Sequence, residues 1–348
     1  MRIVSRWRSR AHRVGEQWST WHEEWGVERD LERVLAGTQP VIVGPWLSEV
    51  GYEVLYWVPF LRWIAAAYRI PEERLIVLSR GGTASWYQGI ASRYVEVFDY
   101  ATASELSDRV AAGTLKQRDV SEFDRGLVRR AVEGLGLDPD VSVLHPSLMF
   151  RWFAPFWSGK ETLGFAERHT RYTRVTPPAA TLPVQLPDEY AAVKLYAARS
   201  LPDEPAVRTQ LRALVHGLSE WLPVVQLETG LGLDDHADYD LGMNERVVSL
   251  SGRLDVRTNL AVQTQVISGA RLFLGTCGGL AWLAPLLGVA TVPVLADASF
   301  LHAHLHLARR VYGRTGAGSF SPVDLHGLTI AGLTAGRGLG VGDGQRSF

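Results

Sequence analysis

The sequence predicts an α/β protein made of two Rossmann-like halves facing a central cleft, with a helical extension at the N-terminus. Three observations carry that expectation. Short β-branched runs alternate with helix-length amphipathic segments along most of the chain. The alternation halts at a proline-rich stretch, Thr176–Pro183, and restarts beyond it. Finally, Arg271 to Asp297 reads as one whole parallel crossover unit: strand, glycine-rich loop, helix, strand. Residues 1–36 are then the helical extension, 37–180 the first domain, 181–335 the second, and the glycine-rich residues 336–348 a flexible tail.

The extension has an uneven charge pattern. Arg2, Arg6, Arg8, Arg10 and Arg13 come first, followed by Glu16, Glu23, Glu24, Glu28, Asp30 and Glu32. Trp7, Ala11, Val14, Trp18, Trp21 and Trp25 recur at helical spacing and mark one apolar face. That face suits packing against the protein body, and residues 1–25 also suit peripheral contact with an anionic membrane surface.

In the first domain, Val41–Val43, Leu75–Leu78, Val95–Phe98 and Val141–Leu144 read as buried strands. Helices are expected over 54–68, 84–93, 103–112 and 122–135. The loop after the first strand holds Trp46, Glu49, Gly51 and Glu53, in the place where α/β proteins build sites. Glu49 is the candidate general base, and Glu53 reads as an ordinary helix-start charge. His145 ends the fourth strand and is a candidate acceptor contact. The aromatic run Arg151–Trp157 is a candidate cleft lining.

The second domain starts with a strand over Tyr190–Tyr196, then a loop through Arg199 and a helix over Glu204–Leu218. Lys194 and Arg199 place two cations at that strand's C-terminal end, where a diphosphate would meet them. The strand Pro223–Leu227 opens into an acidic loop. There Thr229, Asp235 and His236 are candidates for contact with a nucleotide, or for capping within the loop. The acid spacing matches no calcium loop, and no metal is expected. His302, His304 and His306 lie on a helix where only His302 and His306 share a face, which disfavours a metal triad.

The loop Gly275–Gly279 completes the pattern. Gly278 and Gly279 let an anion approach the backbone, and Thr276 offers a hydroxyl. The same glycines alternatively serve only a tight turn. Residues 272–296 lack charge, but glycine and proline punctuate the run where a soluble crossover needs them, not as a membrane span does. Cys277, the single cysteine, excludes an internal disulfide and reads as a small buried thiol. A net charge of -1 argues against a general nucleic-acid binder. No secretory signal is visible, and a cytoplasmic setting follows, with membrane association through residues 1–25 as the variant.

Asn259, Leu260, Gln263, Ile267, Ala270, Arg271 and Leu274–Ala281 together resemble the late donor-binding segment of the GT-B glycosyltransferases, in their heptosyltransferase-like and fucosyltransferase-like branches. The resemblance implies transfer of a sugar from a nucleotide-sugar to a glycan or lipid-linked acceptor, without metal or cofactor, the nucleotide-sugar being a co-substrate. It implies Lys194, Arg199, Thr276, Gly278 and Gly279 at the departing diphosphate, with Glu49 and Arg199 catalytic. Trp46, Gly51 and His145 fall on the acceptor side. A nucleotide-sugar epimerase on the same frame and a non-catalytic nucleotide or glycan binder are the alternatives.

Overall fold

A computed structural model of the chain describes residues 26–113, 116–233, 236–242 and 244–326. The tryptophan stripe upstream of residue 26, Asp235 and the tail after residue 326 lie outside the described residues. The chain divides into two compact units. One holds residues 1–176 with 255–261, the other 177–254 with 262–348. The sequence places 255–261 with the second half, but these residues bond to the first unit. Leu260 and Ala261 both donate their N–H to Gly81 O, at 3.0 and 2.9 Å. The Arg257 guanidinium meets Asp99 and the Phe98 carbonyl.

Each unit contains a fully parallel sheet, so the α/β class expected from the sequence is the one observed. In the first unit the strands are β1 (Val41–Val43), β2 (Leu75–Ser79), β3 (Arg93–Glu96) and β4 (Ser142–Leu144), in the order β3-β2-β1-β4. Their apolar runs are the sign of strands covered on both faces. Residues 26–35 are helical (α1), and after β1 the chain forms a short helix α2 (Val50–Tyr52), a π-turn at Glu53–Trp57 and α3 (Val58–Ala67), with Pro59 in its first turn. The segment expected to be helical over 84–93 is only a 3₁₀ turn, Thr83–Tyr87. Gly89 then takes φ +74, and β3 begins at Arg93. Capping boxes start α4 (Ala103–Ala111) and α5 (Glu122–Gly134), where Thr102 pairs with Glu105 and Ser121 with Asp124.

The aromatic run expected to line a cleft is instead the body of α6 (Pro146–Trp157), and α7 (Leu163–Arg168) follows it. Met149, Phe153 and Phe156 recur at helical spacing and are buried. Phe153 packs on Tyr56 and Phe60, so these rings join the helices to each other.

In the second unit the strands are β5 (Ala191–Lys194), β6 (Val224–Gln226), β7 (Val247–Ser249), β8 (Leu272–Thr276), β9 (Ala290–Leu295) and β10 (Val323–Asp324). Their order is β10-β9-β8-β5-β6-β7. From β5 the chain builds outward to β6 and β7, then returns to the other side of β5 for β8. The crevice between the C-terminal ends of β5 and β8 is therefore this sheet's switch point. α8 (Pro205–Trp221) covers the sheet through Val207, Leu211 and Val215, which belong to one buried cluster with Val193 and Val224. Helix α9 (Asn259–Ser268) leads into β8, and between β8 and β9 lie α10 (Leu280–Leu283) and a 3₁₀ turn, Ala284–Leu287. No described helix is long and apolar enough to cross a membrane.

Candidate functional site

The switch point of the second sheet is where candidate ligand groups gather. β5 and β8 pair with Lys194 opposite Gly275, so Lys194 stands three residues from the glycine pair. Gly278 has φ +156, and Gly279 has φ +41 with ψ -122. A Cβ on Gly278 would stand 3.1 Å from the Tyr196 hydroxyl, and one on Gly279 2.9 Å. Glycine is thus required twice over, by backbone angle and by the tyrosine lying across the loop. Among the described residues no acceptor is paired with the N–H of Gly278 or Gly279.

The rest of the loop is committed to structure. Thr276 Oγ1 donates to Tyr196 O at 2.8 Å and accepts the Tyr196 N–H at 2.9 Å. It clamps the end of β5 to β8 and has no proton left for a ligand, contrary to the expectation from sequence. The Cys277 N–H goes to Val294 O at 2.9 Å. Burial pushes the Cys277 thiol up to about 12, Arg309 opposing weakly, which keeps it inert. The helix beyond Gly279 is a single turn, too short to contribute much dipole.

The expected cations divide. The Lys194 ammonium donates to both oxygens of Asp238, at 2.6 and 2.9 Å, and is mostly buried. Arg199 is exposed and stacks over the Phe300 ring at 4.5 Å, near Asp297. No contact joins it to the glycines, so it does not share their anion site in this structure. Thr229 spends its hydroxyl oxygen on Leu231 N–H and its own N–H on Asp238, at 3.4 Å each, the capping role within the loop. His236 packs on the Tyr196 ring at 4.5 Å. Sequence reasoning missed Tyr196 and Glu228. Burial, then the nearby Asp238, raises the Glu228 carboxyl above its usual range, while Lys194 pulls it down.

In the first unit the structure reassigns most acceptor-side candidates. Trp46 is wholly buried, stacked on Trp57 at 5.6 Å and on Phe150 at 6.2 Å, and no face is left for a ligand. His145 is buried and caps α6, with Nδ1 accepting the Ser147 N–H at 3.1 Å and Nε2 lying 3.6 Å from Asp124. Burial would raise Asp124, but hydrogen bonds from His145 and Ser121 outweigh it and hold the carboxyl low. Gly51 is an interior residue of α2. Glu49 is part-exposed at the start of α2, with Lys116 Nζ at 3.7 Å. Glu53 is no surface charge. It is fully buried, accepting from Ser79 Oγ at 2.8 Å and from the Tyr87 hydroxyl at 2.5 Å. Burial lifts its carboxyl to about 7, against the pull of Tyr87, Arg80 and Ser79. Among the described residues no group of three or more His, Cys, Asp or Glu is placed to hold a metal ion.

No family model and no curated protein sequence matches this chain. Solved structures do resemble it. A glycosyl transferase of family 9 from Veillonella parvula is 12% identical, with a TM-score of 0.43, over 86% of this chain and 89% of that one. The iron-containing dodecameric glycosyltransferase TibC of enterotoxigenic E. coli gives 13% and 0.35 over 74% of this chain, which spans only 58% of TibC. A UDP-GlcNAc 2-epimerase from Methanocaldococcus jannaschii gives 9% and 0.33, over 85% and 99%.

Proposed function

We propose that the chain is a glycosyltransferase that uses a nucleoside-diphosphate sugar and an acceptor hydroxyl, in surface polysaccharide or glycan biosynthesis. One observation carries the reading: two adjacent glycine N–H groups without an acceptor stand at the switch point of the second sheet, one strand from Lys194. A diphosphate oxygen accepting from both amides and from the lysine would be stabilised as charge grows on it. In the reaction the acceptor oxygen attacks the anomeric carbon. The bond from that carbon to the diphosphate breaks, its electron pair leaving with oxygen, and the hydroxyl proton passes to a base. Glu49 is the group we assign as base, a part-exposed carboxyl with Lys116 Nζ at 3.7 Å. In this reading the transfer takes no metal.

The test is the thermal stability of the protein against a panel of nucleoside diphosphates. A ligand at about 100 times its Kd adds about 2.7 kcal/mol. Lys194→Met should lose most of that gain. A panel that leaves wild-type stability unmoved refutes the reading. Conversion of a nucleotide-sugar with no acceptor present, and no nucleoside diphosphate released, would mark an epimerase instead.

A further inference from the structure

The first unit holds a polar feature that the proposed transfer does not use. A line of oxygens runs from a buried carboxyl to a partly exposed one. Glu53 Oε1 accepts from Ser79 Oγ at 2.8 Å, and Ser79 Oγ accepts from Thr83 Oγ1 at 3.3 Å. Thr83 Oγ1 lies 3.5 Å from the Tyr94 hydroxyl, which donates to Glu96 Oε2 at 2.9 Å. The fold explains the alignment. Ser79 ends β2, Thr83 opens the 3₁₀ turn four residues on, and Tyr94 and Glu96 point to one face of the neighbouring β3, where Glu96 pairs with Ser79. Glu53 and Thr83 are completely buried, whereas Tyr94 and Glu96 reach the surface.

We propose that Ser79, Thr83 and Tyr94 form a proton relay joining the Glu53 carboxyl to the Glu96 carboxyl, so that Glu53 takes up and releases a proton while the unit stays folded. With the proton on Glu96 and Glu53 ionised, Glu96 gives its proton to the Tyr94 oxygen. Tyr94 gives its own to Thr83, Thr83 to Ser79, and Ser79 to Glu53 Oε1. Each hydroxyl breaks one O–H bond and forms another, every electron pair stays on its oxygen, and no co-reactant is consumed. Thr83 is the turning link. Its single proton has three acceptors in reach, Ser79 Oγ at 3.3 Å, Arg80 O at 3.4 Å and the Tyr94 oxygen at 3.5 Å, and none is near enough to lock it.

The groups facing Glu53 set how often the relay is used. Burial disfavours the ionised carboxylate most, the Tyr87 hydroxyl, Arg80 and the Ser79 hydroxyl favour it, and the charge of Glu96 opposes it. Burial, then the charge of Glu96, holds the Tyr94 phenol neutral, with Glu53 adding to both, so it carries protons as a neutral phenol. Without a relay, a carboxyl this deep would change charge only when the structure opened locally, a slow event.

The experiment is carbon-13 NMR of the full chain labelled at glutamate side-chain carboxyls, with Glu53→Gln and Glu96→Gln assigning the two lines. In the wild type we expect a single Glu53 line that moves with pH near neutrality, the mark of fast proton exchange. Thr83→Val removes one oxygen of the relay, and exchange should slow by about tenfold or more, splitting or broadening the line. Thr83→Ser should restore it. Tyr94→Phe, at a part-exposed position, should slow exchange in the same way and decides the matter where Thr83→Val does not fold. Exchange as fast as wild type in folded Thr83→Val or Tyr94→Phe overturns the relay, as does slow Glu53 exchange in the wild type. Neither result touches the transferase reading, which rests on the second unit.

Discussion

Replacing Glu53 with glutamine tests the electrostatics of the first unit directly. The glutamine keeps an oxygen for the Tyr87 and Ser79 hydroxyls and cannot ionise, so it imitates the protonated acid. In the folded protein burial lifts the Glu53 carboxyl to about 7, against 4.5 for an ordinary glutamate. A folded-state value above the unfolded one means the unfolded chain gives up this proton first as pH rises. Stability from the protonated carboxyl is therefore fully present below pH 4.5 and is lost as pH passes through about 7. The gap between the two values amounts to about 3 kcal/mol.

Urea unfolding of both proteins across this range, followed by tryptophan fluorescence, measures the effect. Trp46, Trp57 and Trp86 are all buried in the first unit and report its unfolding. The groups the two proteins share cancel in their difference. Relative to Glu53→Gln, the wild type should lose about 3 kcal/mol between about pH 4 and about pH 9. A flat difference, or a wild type that gains on the variant with rising pH, would falsify the assignment of Glu53 as the acid that titrates near neutrality.

Two further substitutions separate site from scaffold. Gly279→Ala forces a side chain into φ +41 and sets its Cβ 2.9 Å from the Tyr196 hydroxyl, and should cost about 1–3 kcal/mol and abolish the stabilisation by nucleoside diphosphates. Gly313→Ala, with open space around the new Cβ in α11 (His302–Thr315), should instead stabilise by up to about 1 kcal/mol with binding unchanged, both read as thermal midpoints. His145→Ala removes the α6 cap and a partner of Asp124, and should cost about 1–2 kcal/mol with turnover per folded molecule unchanged. A fall in turnover with stability intact would return His145 to the acceptor side.

What the chain disclosed in sequence was local. Val41–Val43, Leu75–Leu78 and Leu272–Leu274 are apolar runs that only a doubly covered parallel strand requires, and each is a strand. Functional detail failed where partners lie far apart in sequence. Glu53 reads as a helix-start charge because Ser79 and Tyr87, the hydroxyls that hold it, come 26 and 34 residues later. Thr276 reads as a free hydroxyl in a loop, because its acceptor is the Tyr196 carbonyl 80 residues earlier on the neighbouring strand. Trp46 reads as a ligand contact because nothing local announces that Trp57 and Phe150 will enclose it. The aromatic run Arg151–Trp157 was different. Met149, Phe153 and Phe156 have helical spacing, and that signal was present in the sequence.

The charges around the glycine pair oppose an incoming anion. Lys194 is already neutralised by Asp238, and Glu228 nearby adds a further negative charge. A diphosphate entering here would meet a surface that is net negative, despite the lysine. Two features offset this. The ammonium has three donors and Asp238 uses two, so one N–H remains for the ligand without breaking the pair. Glu228 is held above its usual range by burial and by Asp238, and an arriving anion raises it further, so binding should draw a proton onto Glu228. Affinity for nucleoside diphosphates should accordingly strengthen as pH falls towards the Glu228 titration, with proton uptake visible as a buffer-dependent heat of binding. Glu228→Gln should bind tightly at all these pH values and take up no proton. If the wild type binds with the same heat in buffers of different ionisation enthalpy, or if Glu228→Gln keeps the pH dependence, then Glu228 does not face the anion, and the ligand's charge lies elsewhere than beside Lys194.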